Sequence, residues 1–245
     1  MAVLAGMLAC GAADAQTAMV ADPCAELDRR AAGLAAPAAE ALRKEQDWPG
    51  LCRYAAANRA LATRPRIVFI GDSLTEGWGK EAPGFFGPEV VNRGISGQTS
   101  QQILARFTQD VVALRPRAVH IIAGSNDVAG NGGPTSMASY QNAIRAMADL
   151  ARANGIRVVM GSLLPADRFW WAPALRPAGQ LRALNAWLRG FARERGYAFV
   201  DYYAAMTTPA GAMRAGLSED GVHPNAAGYA VMAPLARRAI AAATR

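Results

Sequence analysis

From Arg66 onward, short, almost wholly apolar runs alternate with longer stretches of helical spacing. This alternation constrains the fold more than any other feature of the 245-residue chain. The runs Ile67–Ile70, Glu89–Asn92, Ala118–Ala123, Ile156–Gly161 and Ala198–Asp201 read as strands. Helical stretches lie around Ser100–Leu114, Thr135–Asn154 and Ala178–Arg195, and a last helix lies near Asn225–Ala243. Strands that are continuously apolar, rather than alternating, are covered on both faces. Helices between them make the sheet parallel. One doubly wound α/β domain follows, with ligands expected at the carboxyl ends of its strands.

The residues that follow those strands are polar and glycine-rich. After the first come Gly71, Asp72, Ser73 and Leu74. After the second come Asn92, Arg93, Gly94, Ile95, Ser96 and Gly97. After the third come Gly124, Ser125, Asn126 and Asp127. Asp72 or Ser73 suits a helix cap, but Ser73 at the rim of a sheet also suits a nucleophile. A serine nucleophile needs a base to take its proton and a group to orient that base. The chain has two histidines. His120, inside an apolar strand run, reads as a core or sheet-face residue. His223 sits in the polar turn Asp220-Gly221-Val222-His223-Pro224, where Asp220 can reach its imidazole. That turn is equally compatible with an ordinary surface turn leading into a helix. The order Ser, Asp, His is one of the known chain orders for such triads. Backbone N–H groups at Ser73 and Gly94 and the Asn126 amide are candidate oxyanion donors, although turn-making also accounts for the glycine. The segment around Ser73 is not Gly-x-Ser-x-Gly, since Thr75 holds the last position, so an α/β-hydrolase elbow is disfavoured.

Four blocks, "GDSLTEGW", "NRGISGQTS", "GSND" and "DGVHP", occur in this order, and over Arg66 to Ala243 the chain resembles the SGNH hydrolases, also called the GDSL family of esterases and lipases. The resemblance implies a flavodoxin-like three-layer α/β/α fold with a five-stranded parallel sheet, and ester hydrolysis with no metal and no cofactor. It implies that Ser73 is the nucleophile and first oxyanion donor. Gly94 and Asn126 would be further donors, His223 the general base, and Asp220 its partner. Ser125 stands where the family often has threonine. The implied substrates are small-molecule or glycan esters, with short-chain acyl or O-acetyl esters ahead of lysophospholipids. A non-catalytic glycan-binding domain on the same fold is the rival from another class. A metal-dependent hydrolase has few ligands in a chain with two histidines and no His-Glu-x-x-His, though carboxylates can hold a hard cation.

Trp170 and Trp171 follow the fourth strand on the expected active-site side, and Trp78 follows the nucleophile. Each reads as a substrate-binding aromatic or as a packing residue, with neither reading favoured. The net charge of +7 is spread over scattered arginines without a nucleic-acid-binding motif, which argues against a nucleic-acid partner. Composition, at 52% hydrophobic and 18% charged, is that of a globular chain.

Residues 1–15 are small and apolar and end in Ala13-Asp14-Ala15, which reads as a secretory signal peptide, too short to span a bilayer. Cleavage there removes Cys10 and leaves Cys24 and Cys52, a number suited to one disulfide in a periplasmic or secreted protein. Two unpaired buried thiols are the alternative. Residues 16–64 read as a helical N-terminal extension, kinked or broken near Pro37, with a second helix in "LCRYAAANRALA". Residues 65–245 form the hydrolase domain. Oligomeric state is not legible.

Overall fold

The computed structural model describes residues 19–245; the expected signal peptide at 1–15 lies outside the described residues. An N-terminal layer of three helices, α1 (Pro23–Ala32), α2 (Ala36–Gln46) and α3 (Ala55–Arg59), precedes β1 (Ile67–Gly71) and α4 (Ser73–Glu81). Then come β2 (Val90–Gly94), α5 (Ser100–Ala105), α6 (Phe107–Asp110), β3 (Ala118–Ile122), α7 (Ser125–Ala129) and α8 (Met137–Ala153). The chain closes with β4 (Arg157–Gly161), α9 (Ala178–Arg195), β5 (Ala198–Val200), α10 (Tyr202–Met206) and α11 (Ala226–Ala243). All pairings are parallel and the sheet order is β2-β1-β3-β4-β5, a doubly wound, flavodoxin-like sheet with its switch point between β1 and β3.

The two sheet faces carry separate cores. On one, Val68, Ile70, Val119 and Ile121 pack with Ile144 of α8 and Leu181 and Leu188 of α9. On the other, Ile67, Phe69 and Ile122 pack with Leu74 of α4, Tyr202 of α10, and Tyr229 and Met232 of α11. His120 points into this second core: it is fully buried, stacks on Phe69 at 4.3 Å, and pairs through Nε2 with the Tyr202 hydroxyl at 2.8 Å. Burial pushes its imidazole down to about 3, so the ring is neutral.

Three details depart from the sequence reading. Trp78 is not a substrate-binding residue: it is fully buried, stacked on Tyr229 at 5.2 Å and edge-on to Phe69. Its place on the inner face of α4 aims the indole into the core instead of the cleft. The stretch Ser100–Leu114 is not one helix, because Arg106 leaves helical geometry (φ −99°, ψ 2°) where its side chain turns into the interior. The segment after Pro49 contains only the five-residue α3, since Asp47 first caps the N–H groups of Leu51 and Cys52 in a non-helical turn.

α1 and α2 are separated at Gly33 to Ala35, just ahead of Pro37 in the first turn of α2. Cys24 of α1 is disulfide-bonded to Cys52 across 28 residues. This layer packs beside the loop after β2: the Tyr54 hydroxyl donates to Gly94 O (2.5 Å) and Gln98 Nε2 donates to Pro49 O (2.7 Å). Replacing both cysteines by serine is expected to cost roughly 3 kcal/mol of loop-closure stabilisation. The loss should appear as faster amide exchange in residues 19–60, and unchanged protection there would contradict it.

Candidate active site

Ser73 is the first residue of α4. β1 ends at Gly71, where a Cβ would come within 2.4 Å of the Thr75 hydroxyl and 2.3 Å of Ile122 O, so only glycine lets the strand turn this tightly into the helix. Asp72 caps α4, its carboxylate accepting the Leu74 N–H at 3.0 Å, and Ser73 is left at the helix N-terminus, half-buried. The Ser73 N–H has no partner among the described residues.

The partner of the serine hydroxyl arrives from the other end of the domain. His223 Nε2 lies 2.9 Å from Ser73 Oγ, and His223 Nδ1 lies 2.7 Å from Asp220 Oδ2. The remaining Asp220 oxygen accepts the N–H groups of Val222 (2.9 Å) and His223 (2.8 Å) and the Ser218 hydroxyl (3.1 Å). Desolvation raises this carboxyl, but the hydrogen bonds from His223 and Val222 outweigh it and hold it at about 2. A single turn therefore carries an ionised carboxylate bonded to an imidazole whose far nitrogen faces the serine. Asn225 then caps α11 by accepting the Gly228 N–H, which anchors the turn.

Asn126, on the first turn of α7, is buried beside this line. Its Nδ2 donates to Gln98 O at 3.0 Å and to Asp72 Oδ2 at 3.2 Å. Asp72 is fully buried, and desolvation pushes its carboxyl up to about 7. Asp127 turns away and binds the Ser100 N–H and hydroxyl.

Gly94 does not fit the role of oxyanion donor. It pairs with Gly71 inside the sheet, its N–H donates to Asn92 Oδ1 at 2.8 Å, and a Cβ there would meet Glu76 N at 2.1 Å. Close packing of β2 on α4 accounts for the glycine. The sequence signal is three residues further on: Gly97 is exposed, its N–H has no partner among the described residues, and its neighbour Gln98 touches Asn126.

Of the paired tryptophans, Trp171 stacks on the buried Phe169 (4.9 Å) and its ring centre lies 6.2 Å from that of His223. Trp170 packs edge-on against Trp171 and is 66% exposed. Sequence reasoning missed Asn131, whose side chain joins Trp171 to Asn126. Among the described residues no three His, Cys, Asp or Glu side chains are grouped to hold a metal ion, and no helix is long and apolar enough to cross a membrane.

Comparison with known proteins gives the family. The sequence profile of the GDSL-like lipase/acylhydrolase family matches residues 69–231. The chain belongs to this family. The chain is similar to the crystal structure of a GDSL-like lipase from Bacteroides thetaiotaomicron: 40% identity, TM-score 0.77, covering 80% of this chain and 99% of that one. An acetylxylan esterase from Geobacillus stearothermophilus is 38% identical over 88 residues, covering 26% of this chain and 40% of that protein. The match thus spans well under half the length of that relative. The solved structure of the Geobacillus acetylxylan esterase Axe2 shares the fold at a TM-score of 0.58 and 24% identity, covering 74% of this chain and 95% of that one. The GDSL protein described here is a carboxylic ester hydrolase.

Proposed function

We propose that this GDSL hydrolase cleaves short-chain acyl or O-acetyl esters, including those carried on a carbohydrate, by a Ser73–His223–Asp220 mechanism. The unbroken line from Ser73 Oγ to His223 Nε2 and from Nδ1 to Asp220 carries the reading. Ser73 Oγ attacks the ester carbonyl while His223 Nε2 takes its proton. The bond from carbonyl carbon to the leaving oxygen then breaks, and His223 returns the proton to that alcohol. Water, deprotonated by His223, adds to the acyl-serine and releases the acid together with Ser73. The oxyanion is met by the Ser73 N–H, the Gly97 N–H and Asn126 Nδ2, the last relinquishing its longer bond to Asp72. Each donor of this kind is commonly worth about 3 kcal/mol in the transition state.

Support for a sugar-borne acetyl ester comes from Trp170, 66% exposed and edge-on to Trp171, an aromatic ring against which a sugar can pack. Similarity to an acetylxylan esterase points the same way. The Cys24–Cys52 bond supports an exported, periplasmic or secreted protein, with residues 16–64 as an extension ahead of the hydrolase domain at 65–245.

The test combines a fluorophosphonate, whose phosphorus bonds to the attacking serine with loss of fluoride, and a comparison of p-nitrophenyl acetate with p-nitrophenyl octanoate. The label is expected on the peptide containing Ser73, with acetate turned over faster than octanoate. Labelling elsewhere, or none, would overturn the mechanism. Faster octanoate turnover would replace the short-chain reading with a lysophospholipase-type one.

A further inference from the structure

The side-chain amide of Asn126 can sit in two orientations related by a half-turn, and only one offers a donor to the reaction. The structure has Nδ2 toward Asp72 and Gln98 O, the side on which Ser73 leaves β1. What holds it there is the next polar side chain along. Asn131 Nδ2 donates to Asn126 Oδ1 at 2.5 Å, which fixes which end of the amide is the acceptor and which the donor. The other end of the Asn131 side chain accepts Trp171 Nε1–H at 3.0 Å. Trp171 is the aromatic that flanks His223.

The backbone delivers Asn131 to this place. α7 is five residues long and ends at Gly130 in the left-handed region (φ 73°). The Asn131 N–H then returns to Asn126 O at 3.0 Å, so the two side chains meet one turn apart. Asn131 itself is exposed, and the core does not need it.

We infer that Asn131 is a positioning residue that sets the Asn126 amide for the oxyanion and ties it to Trp171, the aromatic wall of the substrate site. The inference rests on the serine-esterase reading given above. Through this tie a substrate group that seats against Trp171 also secures the donor, coupling recognition of the ester to stabilisation of its transition state. The tie is specific in its chemistry, because the middle residue must accept from the indole and donate to the amide oxygen. Asparagine does both; aspartate can only accept.

Three variants separate this role from mere structural support, each measured for kcat and KM on p-nitrophenyl acetate and for the rate of fluorophosphonate labelling. Asn131→Ala is expected to lower kcat about tenfold, a fraction of the 10²–10³ that follows removal of a whole donor, with KM within twofold and the melting temperature unchanged. Asn131→Asp keeps the acceptor for Trp171 but faces Asn126 Oδ1 with a second acceptor, and is expected to lose more than Asn131→Ala. Trp171→Phe keeps the ring, loses the tether, and is expected to lower kcat severalfold. Placed in an Asn126→Ala background, Asn131→Ala is expected to change nothing further, since its effect passes through that amide. Wild-type kcat in Asn131→Ala, equal behaviour of Asn131→Asp and wild type, or additive losses in the double variant would each overturn the inference. If wild type is not labelled at Ser73, the esterase reading fails and takes the inference with it. If labelling is normal and indifferent to Asn131, the inference alone fails.

Discussion

Asp220→Asn is expected to lower kcat for ester hydrolysis about 10⁴-fold, while the protein stays folded. The reason lies in the turn. One carboxylate oxygen of Asp220 sits under the N–H groups of Val222 and His223, and an amide must keep its oxygen there. Its NH₂ then occupies the other position and donates to His223 Nδ1, forcing the ring proton onto Nε2. That nitrogen faces Ser73 Oγ at 2.9 Å, where a lone pair is needed to accept the serine proton. The variant thus keeps the hydrogen bonds of the turn but inverts the imidazole tautomer. Acidity works in the same direction. The Asp220 carboxyl is held at about 2, below the ordinary 3.8, so its contribution to stability is complete above about pH 4 and is lost as pH falls toward 2. Loss of activity on acidification above pH 4 therefore does not come from Asp220. Steady-state rates at pH 8, with a thermal melt to verify folding, test the variant. A kcat within tenfold of wild type would remove Asp220 from the mechanism.

The hydrogen-bonded set Ser73, His223 and Asp220 is legible in the sequence because each residue lies in a short contiguous block whose geometry is local. Asp220 reaches His223 across three residues, and Ser73 follows a strand whose apolar run marks where it ends. The five parallel strands are legible for the same reason, with β2 running two residues past its expected end because Gly94 pairs with Gly71. Residues whose roles depend on distant neighbours are not legible. Trp78 and Trp171 look alike in sequence, yet one faces the core from α4 and the other faces His223 from a loop. Gly94 and Gly97 share a block, and what separates them is tertiary: Gly94 pairs with Gly71, packs on α4 and has its N–H taken by the Asn92 side chain, while Gly97 is exposed. Asn131 sits in an unremarkable glycine-rich loop until Trp171 arrives from 40 residues downstream.

Arg106 belongs to that second class, and Arg106→Met is expected to destabilise the fold by about 3–5 kcal/mol, lowering the melting temperature by about 10 °C. Its guanidinium is fully buried and donates to four acceptors: Gln98 Oε1 (2.6 Å), Arg93 O (2.8 Å), Asp110 Oδ2 (2.9 Å) and Gly71 O (2.9 Å). Methionine fills much of the volume but donates to none of them. Asp110 is left buried with Asn58 Nδ2 as its side-chain donor, and an unpaired buried carboxylate costs more than the ion pair itself contributes. Arg106→Met combined with Asp110→Leu removes both charges and is expected to recover part of the loss. Thermal and urea unfolding of the two variants distinguish the cases: a single variant within 1 kcal/mol of wild type, or a double variant less stable than the single one, would refute this account. Catalysis should decline in the folded single variant as well. Gly71 O lies just before Asp72 and Ser73, and Gln98 carries the carbonyl that holds Asn126. One buried cation thus ties the ends of β1 and β2 to the loop beside Asn126, and removing it loosens the Ser73 turn and Asn126 together.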